Sequence, residues 1–306
     1  MFSKDLFAGA KILVTGGGTG LGREMADMFL GLGAEVAICG RRLGVCEATA
    51  EELMRRHGGK VTAHELDIGN AEAVDAVIGS LFAAGPLTGL VNNAAGNFIA
   101  RTEDVSSRGF DVIARTVMHG SFYVTNAVGR RWIAAGLPGT VLSITTTWVR
   151  NGGPFTVPSA MSKAAVHAMT MSLAAEWGRH GIRLNGIAPG EIPTEGMNRR
   201  LTPGDVPGAR MAATNPLGRA GRFEDIRNLA AFLMSPGASW ISGETVALDG
   251  ANALATGGNF YELRHWTGED WAKARSAIER HNRKDAAQRG APPSETGRDA
   301  LAAGPA

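Results

Sequence analysis

Residues 11–42 read KILVTGGGTGLGREMADMFLGLGAEVAICGRR. An apolar run, KILVT, passes through TGGGTGLG into LGREMADMFLGLG, which has helical spacing, and a second apolar run, AEVAIC, follows. Strand, glycine-rich corner, helix and strand make a βαβ unit, whose two strands lie parallel with a right-handed crossover. At such a corner backbone N–H groups at the positive end of the helix can approach a pyrophosphate. The residues so placed are Gly16, Gly18, Thr19, Gly20, Leu21 and Gly22. A P-loop would continue Gly-Lys-Ser/Thr; Gly22 is followed by Arg23 and Glu24, which excludes it. A glycine-rich turn holding no ligand is the plain alternative, and the position after the first strand of a repeating chain argues against it.

The alternation continues. KVTAHEL, LTGLVNN, GTVLSIT, GIRLNGIAP and ETVALDG read as further strands. Helical spacing runs through AEAVDAVIGSLFAA, residues 108–136, residues 159–181 and FEDIRNLAAFLMS. The expected fold is α/β, one doubly wound domain over residues 1–255 with helices on both faces of a parallel sheet. Ligands of such sheets bind beyond the carboxyl ends of the strands. Residues 190–217, rich in Pro and Gly, suit either a lid or a plain surface loop. Residues 256–284 form an extension with an amphipathic helix, and residues 285–306 lack apolar periodicity and are expected to be disordered. No internal repeat is present.

A net charge of +2 gives no reason to expect nucleic acid or a membrane surface as partner. Cys39 and Cys46 have neither disulfide-framework nor metal-ligand spacing, so reduced thiols and no metal are expected. The N-terminus has no signal-peptide or transit-peptide pattern, and no apolar run reaches membrane length, which places the protein in the cytoplasm.

The second strand ends Gly40, Arg41, Arg42, where a site for NAD would carry Asp or Glu for the ribose 2′-hydroxyl. Two guanidinium groups suit a 2′-phosphate, so NADP(H) is the expected cofactor; solvated arginines at a helix start are the alternative. Asp67, ending HELD, can accept from the adenine amino group or cap the next helix. Lys163 is the only charged Asp, Glu, Lys or Arg residue between Asn151 and Ala175. A lone ammonium is costly to bury and needs a partner, unless it snorkels out of the helix.

TGGGTGLG, VNNAAG, a Thr/Ser-bearing strand end, SxxxK and IAPGEIPT occur together in an order that resembles the short-chain dehydrogenase/reductase family over residues 10–250. The resemblance implies a Rossmann-type domain with a seven-stranded parallel sheet, usually a homotetramer. It implies that Asn93, Ala94 and Gly96 lie beside the cofactor, with Asn93 and Gly96 bracing the centre of the sheet. Ile187 to Thr194, through Pro189, Gly190, Ile192 and Thr194, would hold the carboxamide, and Lys163 the nicotinamide ribose. The family's usual Ser and Tyr are replaced here: Thr146 stands at the Ser position and Ser159 at the Tyr position. Within the family, NNAAGNFI, LSITT, VPSA..K, SLAAEWG and GNFYELR are most similar to the NADPH-dependent 2,4-dienoyl-CoA reductases, which lack that tyrosine too. That likeness puts Trp148 at the position of a catalytic tyrosine, His119 at that of its accompanying Asn, and Phe98 and Arg200 against an acyl-CoA-like substrate. A further substrate arginine of that branch falls at Gly69 and is missing.

Ketone reduction puts a full alkoxide on oxygen and needs an acid touching it, which Ser159 and Thr146 cannot be. Reducing a conjugated thioester spreads the charge, and hydrogen-bond donors suffice to hold it. Lys163 would then orient the cofactor, Thr146 and Trp148 hold the oxyanion, and His119 or its water protonate carbon. Trp148 could equally be an apolar wall, and His119 a helix histidine without a chemical role. The competing functions are a carbonyl reductase with another proton donor, and a non-catalytic NADP(H)-binding protein.

Overall fold

The structure is a computed structural model that describes residues 1–194, 214–255, 265–270, 272, 273 and 276. Contacts divide the chain into Met1–Gly257 and Gly258–Ala306. In the second unit, Thr267 and Asp270 bond reciprocally around a helix start.

The first unit alternates as its apolar runs require. β1 (Lys11–Thr15), α1 (Gly20–Gly31), β2 (Glu35–Gly40), α2 (Leu43–His57), β3 (Val61–Glu65), α3 (Ala71–Ala83) and β4 (Gly89–Asn92) form the first half. α4 (Ser107–Ala114), α5 (Gly120–Ala135), β5 (Gly139–Ile144), α6 (Trp148–Asn151), α7 (Val157–Trp177), β6 (Ile182–Pro189), α8 (Phe223–Met234), β7 (Thr245–Leu248) and α9 (Asn252–Ala255) complete it. The sheet has seven strands, all parallel, in the order β3-β2-β1-β4-β5-β6-β7. Chain direction across the sheet reverses between β1 and β4, so the loops leaving those strands diverge and open a crevice.

Two apolar cores cover the two faces of the sheet. β1 is buried at every residue, as a central strand of a covered parallel sheet must be. On one face α1 is tied to its neighbours by charge as well as packing. Buried Glu24 and Asp27 pair with Arg227 of α8, and Asp27 also meets Arg56 and His57 of α2. On the other face Trp132 is fully buried and its Nε1–H donates to Leu87 O at 2.5 Å.

Three local readings of the sequence need correction. α2 was not among the expected helices; its buried face is narrow, carried by Cys46, Thr49, Ala50 and Leu53, so apolar periodicity alone gives a weak signal. The helix expected over 108–136 is interrupted: Arg115–His119 form a π turn between α4 and α5. A π turn inserts an extra residue into the helix and rotates the residues beyond it, typically at a functional site. The cap of α3 is Asn70, whose side chain accepts from Glu72 N and Ala73 N, and not Asp67.

Candidate active site

The β1–α1 corner, the ends of β2 and β3 and the loop after β4 enclose a cleft of about 540 Å³. Its floor is built so that backbone, not side chain, faces the ligand. A Cβ on Gly22 would overlap Gly16 O and Asn93 Nδ2, so only glycine permits α1 to start this close to β4. Thr19 precedes α1 without a side-chain cap, leaving the first N–H groups of a twelve-residue helix open to an anion. Asn93 ties the crevice together: its N–H donates to Thr15 Oγ1 at 3.0 Å and its Nδ2 to Thr15 O at 3.0 Å and Gly16 O at 3.3 Å. Ala94 N donates to the same threonine hydroxyl at 3.1 Å.

Gly16, Gly18, Thr19, Arg41, Arg42, Asp67, Asn93 and Ala94 all line this cleft. Arg41 and Arg42 are exposed, and neither forms an ion pair among the described residues. Two uncompensated guanidinium groups at the mouth of an anion-accepting cleft fit a 2′-phosphate. Asp67 also lines the cleft; its carboxylate accepts from Gly69 N at 3.0 Å and pairs with Arg115 at 2.6 Å. Cys39, Gly40, Val45, Cys46, Leu66, Ile68, Ala95 and Thr116 complete the lining, and of these Val45, Leu66, Ile68, Ala95 and Thr116 were not singled out from the sequence. Hydrophobic residues flanking a strand end look like core until the strand order is known. Both cysteines are free and buried, and burial pushes the Cys39 thiol up to about 12.

Gly96 lies in the loop after β4, where a Cβ on it would meet Ile113 Cδ1 of α4 at 3.2 Å. Beyond β6, Gly190 N donates to Leu248 O at 3.0 Å, and Ile192 is buried. Thr194 returns to the glycine corner, within 3.8 Å of where a Gly20 side chain would begin. The segment from Pro189 to Thr194 therefore bridges from the sheet to the start of α1. Arg200 and most of the expected lid lie outside the described residues.

The substrate side is assembled from the loops after β4 and β5 and from α7. Lys163 is buried, and its Nζ donates to Ile144 O at the end of β5. This bond uses one of three N–H donors. Burial pulls the ammonium from its usual 10.5 down to about 8. Ser159, one turn earlier, is buried as well. Thr146 is half-buried, and its Oγ1 accepts from Trp148 N at 3.5 Å, the outer limit of a hydrogen bond. The Trp148 indole packs against the backbone of Gly153, where a Cβ would meet its Cγ at 2.8 Å. Phe98 packs with Ile113, Val117 and Val166 between α4 and α7.

His119 stands at the end of the π turn. It is exposed and lines a groove of about 210 Å³ with Met118, Phe122, Tyr123, Ala165, Val166 and Met169, and is not among the residues lining the nucleotide cleft. At about 100° per residue, Ala165 and Met169 lie roughly 120–160° around α7 from Lys163. The π turn at Arg115–His119 changes the helix register where His119 stands. Tyr123 shares the groove, its ring 6.1 Å from that of His119, and Tyr261 lies outside the described residues.

One polar residue at the site carries no signal in the sequence. Asn97, in the loop after β4, has its Oδ1 fixed by the N–H of Phe98 at 2.8 Å. That bond orients the amide and leaves both Nδ2 hydrogens without a protein acceptor among the described residues. In the sequence, NNAAGN offers three asparagines, and only the loop's geometry separates the two that brace the sheet from the one that does not.

A family model described as enoyl-(acyl carrier protein) reductase matches residues 16–251. An uncharacterized oxidoreductase of Caenorhabditis elegans is 44% identical, covering 88% of each chain. A probable 2,4-dienoyl-CoA reductase of the same organism, named as (3E)-enoyl-CoA-producing, is 40% identical over 88% of this chain and 89% of its own. Among solved structures, a gluconate 5-dehydrogenase of Burkholderia cenocepacia in complex with NADP and tartrate superposes with a TM-score of 0.76 at 30% identity, covering 82% of this chain and 98% of that one. The seven-stranded sheet, the glycine corner braced by Asn93 and the buried lysine of α7 agree with these matches, and the chain belongs to the short-chain dehydrogenase/reductase family.

Proposed function

We propose that this chain is an NADPH-dependent 2,4-dienoyl-CoA reductase that leaves a (3E)-enoyl-CoA. The observation that carries the reading is the residue above Lys163: a buried serine, whose hydroxyl forms no hydrogen bond with a phenol, carboxylic acid or imidazole among the described residues. The similarity to a relative named for that reaction supports it, as does a cleft whose open helix end and free arginines fit NADP(H).

When bound, NADPH supplies a hydride, which this reading directs to C5 of the dienoyl thioester. The electron pairs then shift so that C3 and C4 become doubly bonded and negative charge collects on the thioester oxygen. Thr146 Oγ1, Asn97 Nδ2 and Trp148 Nε1 are the neutral donors available to hold that oxygen, with no proton leaving the protein. Protonation of C2 by water completes the (3E) product. Lys163 keeps two donors for the ribose hydroxyls while the third anchors it to β5, so the nicotinamide is oriented from a rigid strand end. Ser159 supports this helix turn without transferring a proton. On this reading His119 takes no part.

The deciding assay offers NADPH with trans-2,trans-4-decadienoyl-CoA and, separately, with a 3-oxoacyl-CoA. Parallel loss of the dienoyl and NADPH absorbances is expected, with the 3-oxoacyl-CoA untouched. Oxidation by the ketone alone makes the protein a carbonyl reductase, and cofactor binding without turnover makes it a non-catalytic NADP(H)-binding protein. Repeating the assay with the carrier-protein thioester separates the two possible acyl carriers.

Two coarser features extend the proposal. Among the described residues no helix is long and apolar enough to cross a membrane, and a cytoplasmic location is proposed. A homotetramer is proposed too, with the groove at Met118, Phe122 and Met169 as a subunit contact.

A further inference from the structure

The turn between α6 and α7 holds an aromatic residue in a conformation that folding alone gives no reason to keep. Phe155 has φ of 62°, in the left-handed region where a Cβ crowds the following carbonyl. For a bulky side chain this is a true outlier, and such strain persists only where surrounding bonds impose it. Three bonds do so here. Ala100 N donates to Phe155 O at 2.9 Å, Thr156 N to Gly153 O at 3.2 Å, and Thr156 Oγ1 to the same carbonyl at 3.1 Å. The turn is so tight that a Cβ on Gly153 would lie 2.7 Å from Thr156 Oγ1.

The strain is not offset by burial. Phe155 is 61% exposed, while its neighbours Gly153, Thr156 and Pro158 are buried. Its carbonyl bond to Ala100 joins the loop after β5 to the loop after β4, and that second loop presents Ile99, 47% exposed, next to the bonded residue. Both loops leave the carboxyl edge of the sheet, where ligands of this fold bind. Asn97 stands two residues before Ile99, and Ser159 one helical turn after Phe155. Two exposed apolar residues thus stand on the loops that carry the proposed oxyanion donors, held near each other by the Ala100–Phe155 backbone bond.

We infer that Phe155 and Ile99 form the subsite for the distal acyl chain, the hydrocarbon beyond the conjugated carbons. The inference rests on the acyl-thioester reading above. An aromatic face and a branched aliphatic side chain offer an alkyl tail apolar contact and nothing to bond, so they select for length without selecting for polar substituents. The occupant is an unbranched hydrocarbon continuous with the reacting carbons. Each CH₂ covered contributes about 3- to 4-fold in binding, so several methylenes make a steep length preference.

The test compares kcat/KM for 2,4-hexadienoyl-CoA and 2,4-decadienoyl-CoA in the wild type, Phe155→Gly and Ile99→Ala. Glycine adopts the left-handed conformation freely, so Phe155→Gly relieves strain while removing the ring, and its thermal midpoint is expected to hold or rise. Its loss of kcat/KM should be at least about 10-fold greater for the ten-carbon substrate than for the six-carbon one. Ile99→Ala should show the same length-selective loss, more weakly, and serves on its own if the glycine variant does not fold. Equal losses at both lengths overturn the inference while leaving the thioester reading intact. Failure of the wild type to reduce either substrate overturns that reading and the inference with it.

Discussion

The two halves of the crevice are built on different principles. The nucleotide half is backbone. The start of α1, the glycines and the Asn93 brace present N–H groups and shape, fixed by a sheet buried on both faces. The substrate half is side chain on loop. Asn97, Thr146, Trp148 and Phe155 sit on segments outside regular strands or on a single-turn helix, and they are half-buried or exposed. A backbone site tolerates almost no substitution but serves one cofactor type. A loop site can change its chemistry while the frame stays.

The largest effects should therefore come from the frame. Gly22→Ala inserts a methyl between Gly16 O and Asn93 Nδ2. Overpacking of this kind, acting directly on the pyrophosphate cradle, is expected to weaken NADPH binding about 100-fold or more. Titration of cofactor fluorescence would read it. A nearly normal affinity would mean that α1 can shift, and the contrast between rigid and adaptable halves would fail.

Lys163 joins the halves and should come next. Lys163→Met removes the donors that orient the nicotinamide, and kcat/KM should fall about 100-fold, since small misplacement of a reacting group has that scale of cost. The same variant has a pH signature in the apoprotein. The native lysine titrates near 8 and the unfolded one at 10.5, because burial disfavours the charge. Below pH 8 both states are protonated and the native state carries the full penalty. Between 8 and 10.5 the unfolded chain binds more protons, so wild-type stability rises with pH by roughly 3 kcal/mol in all. The stability difference between wild type and Lys163→Met, measured by denaturant titration, should move in the wild type's favour across that window. A flat difference would show that the ammonium is solvated.

Much of the first half was legible in the sequence for a physical reason. Strand–glycine–helix spacing is local, and parallel order follows from handedness. Thus KILVTGGGTGLGRE and the closing Arg41-Arg42 sufficed to place a cleft and suggest its cofactor. The second half needs distances between loops that are far apart in sequence. Asn97 is one of several asparagines until Phe98 N is seen bonded to its Oδ1. The π turn before α5 has no signature in apolar periodicity, so the sequence reads one unbroken helix there. The conformation at Phe155 is held in part by a bond from Ala100, on the loop after β4.

Cofactor choice should respond less strongly than the cradle does. In the double variant Arg41→Ala/Arg42→Ala, loss of charge-assisted bonds to a 2′-phosphate is expected to raise the KM for NADPH about 10- to 100-fold. The KM for NADH should barely move. Parallel steady-state titrations check this. An equal change for both cofactors would mean that the arginines hold the pyrophosphate or support the strand end.

The smallest effect is expected at Ser159. A tyrosine at this position would offer a phenol able to give up a proton. Here the hydroxyl is buried on α7 beside a lysine that bonds to Ile144 O. If charge on the thioester oxygen is held by neutral donors and the proton reaches carbon from water, deleting the hydroxyl removes at most one weak hydrogen bond. Ser159→Ala should keep kcat/KM for the dienoyl thioester within about 3-fold, with the shape of its pH profile unchanged. A far larger loss accompanied by a displaced pH limb would make the serine part of a proton path. The division of labour would then change, because a loop-borne site that needs no acid would have acquired one on α7.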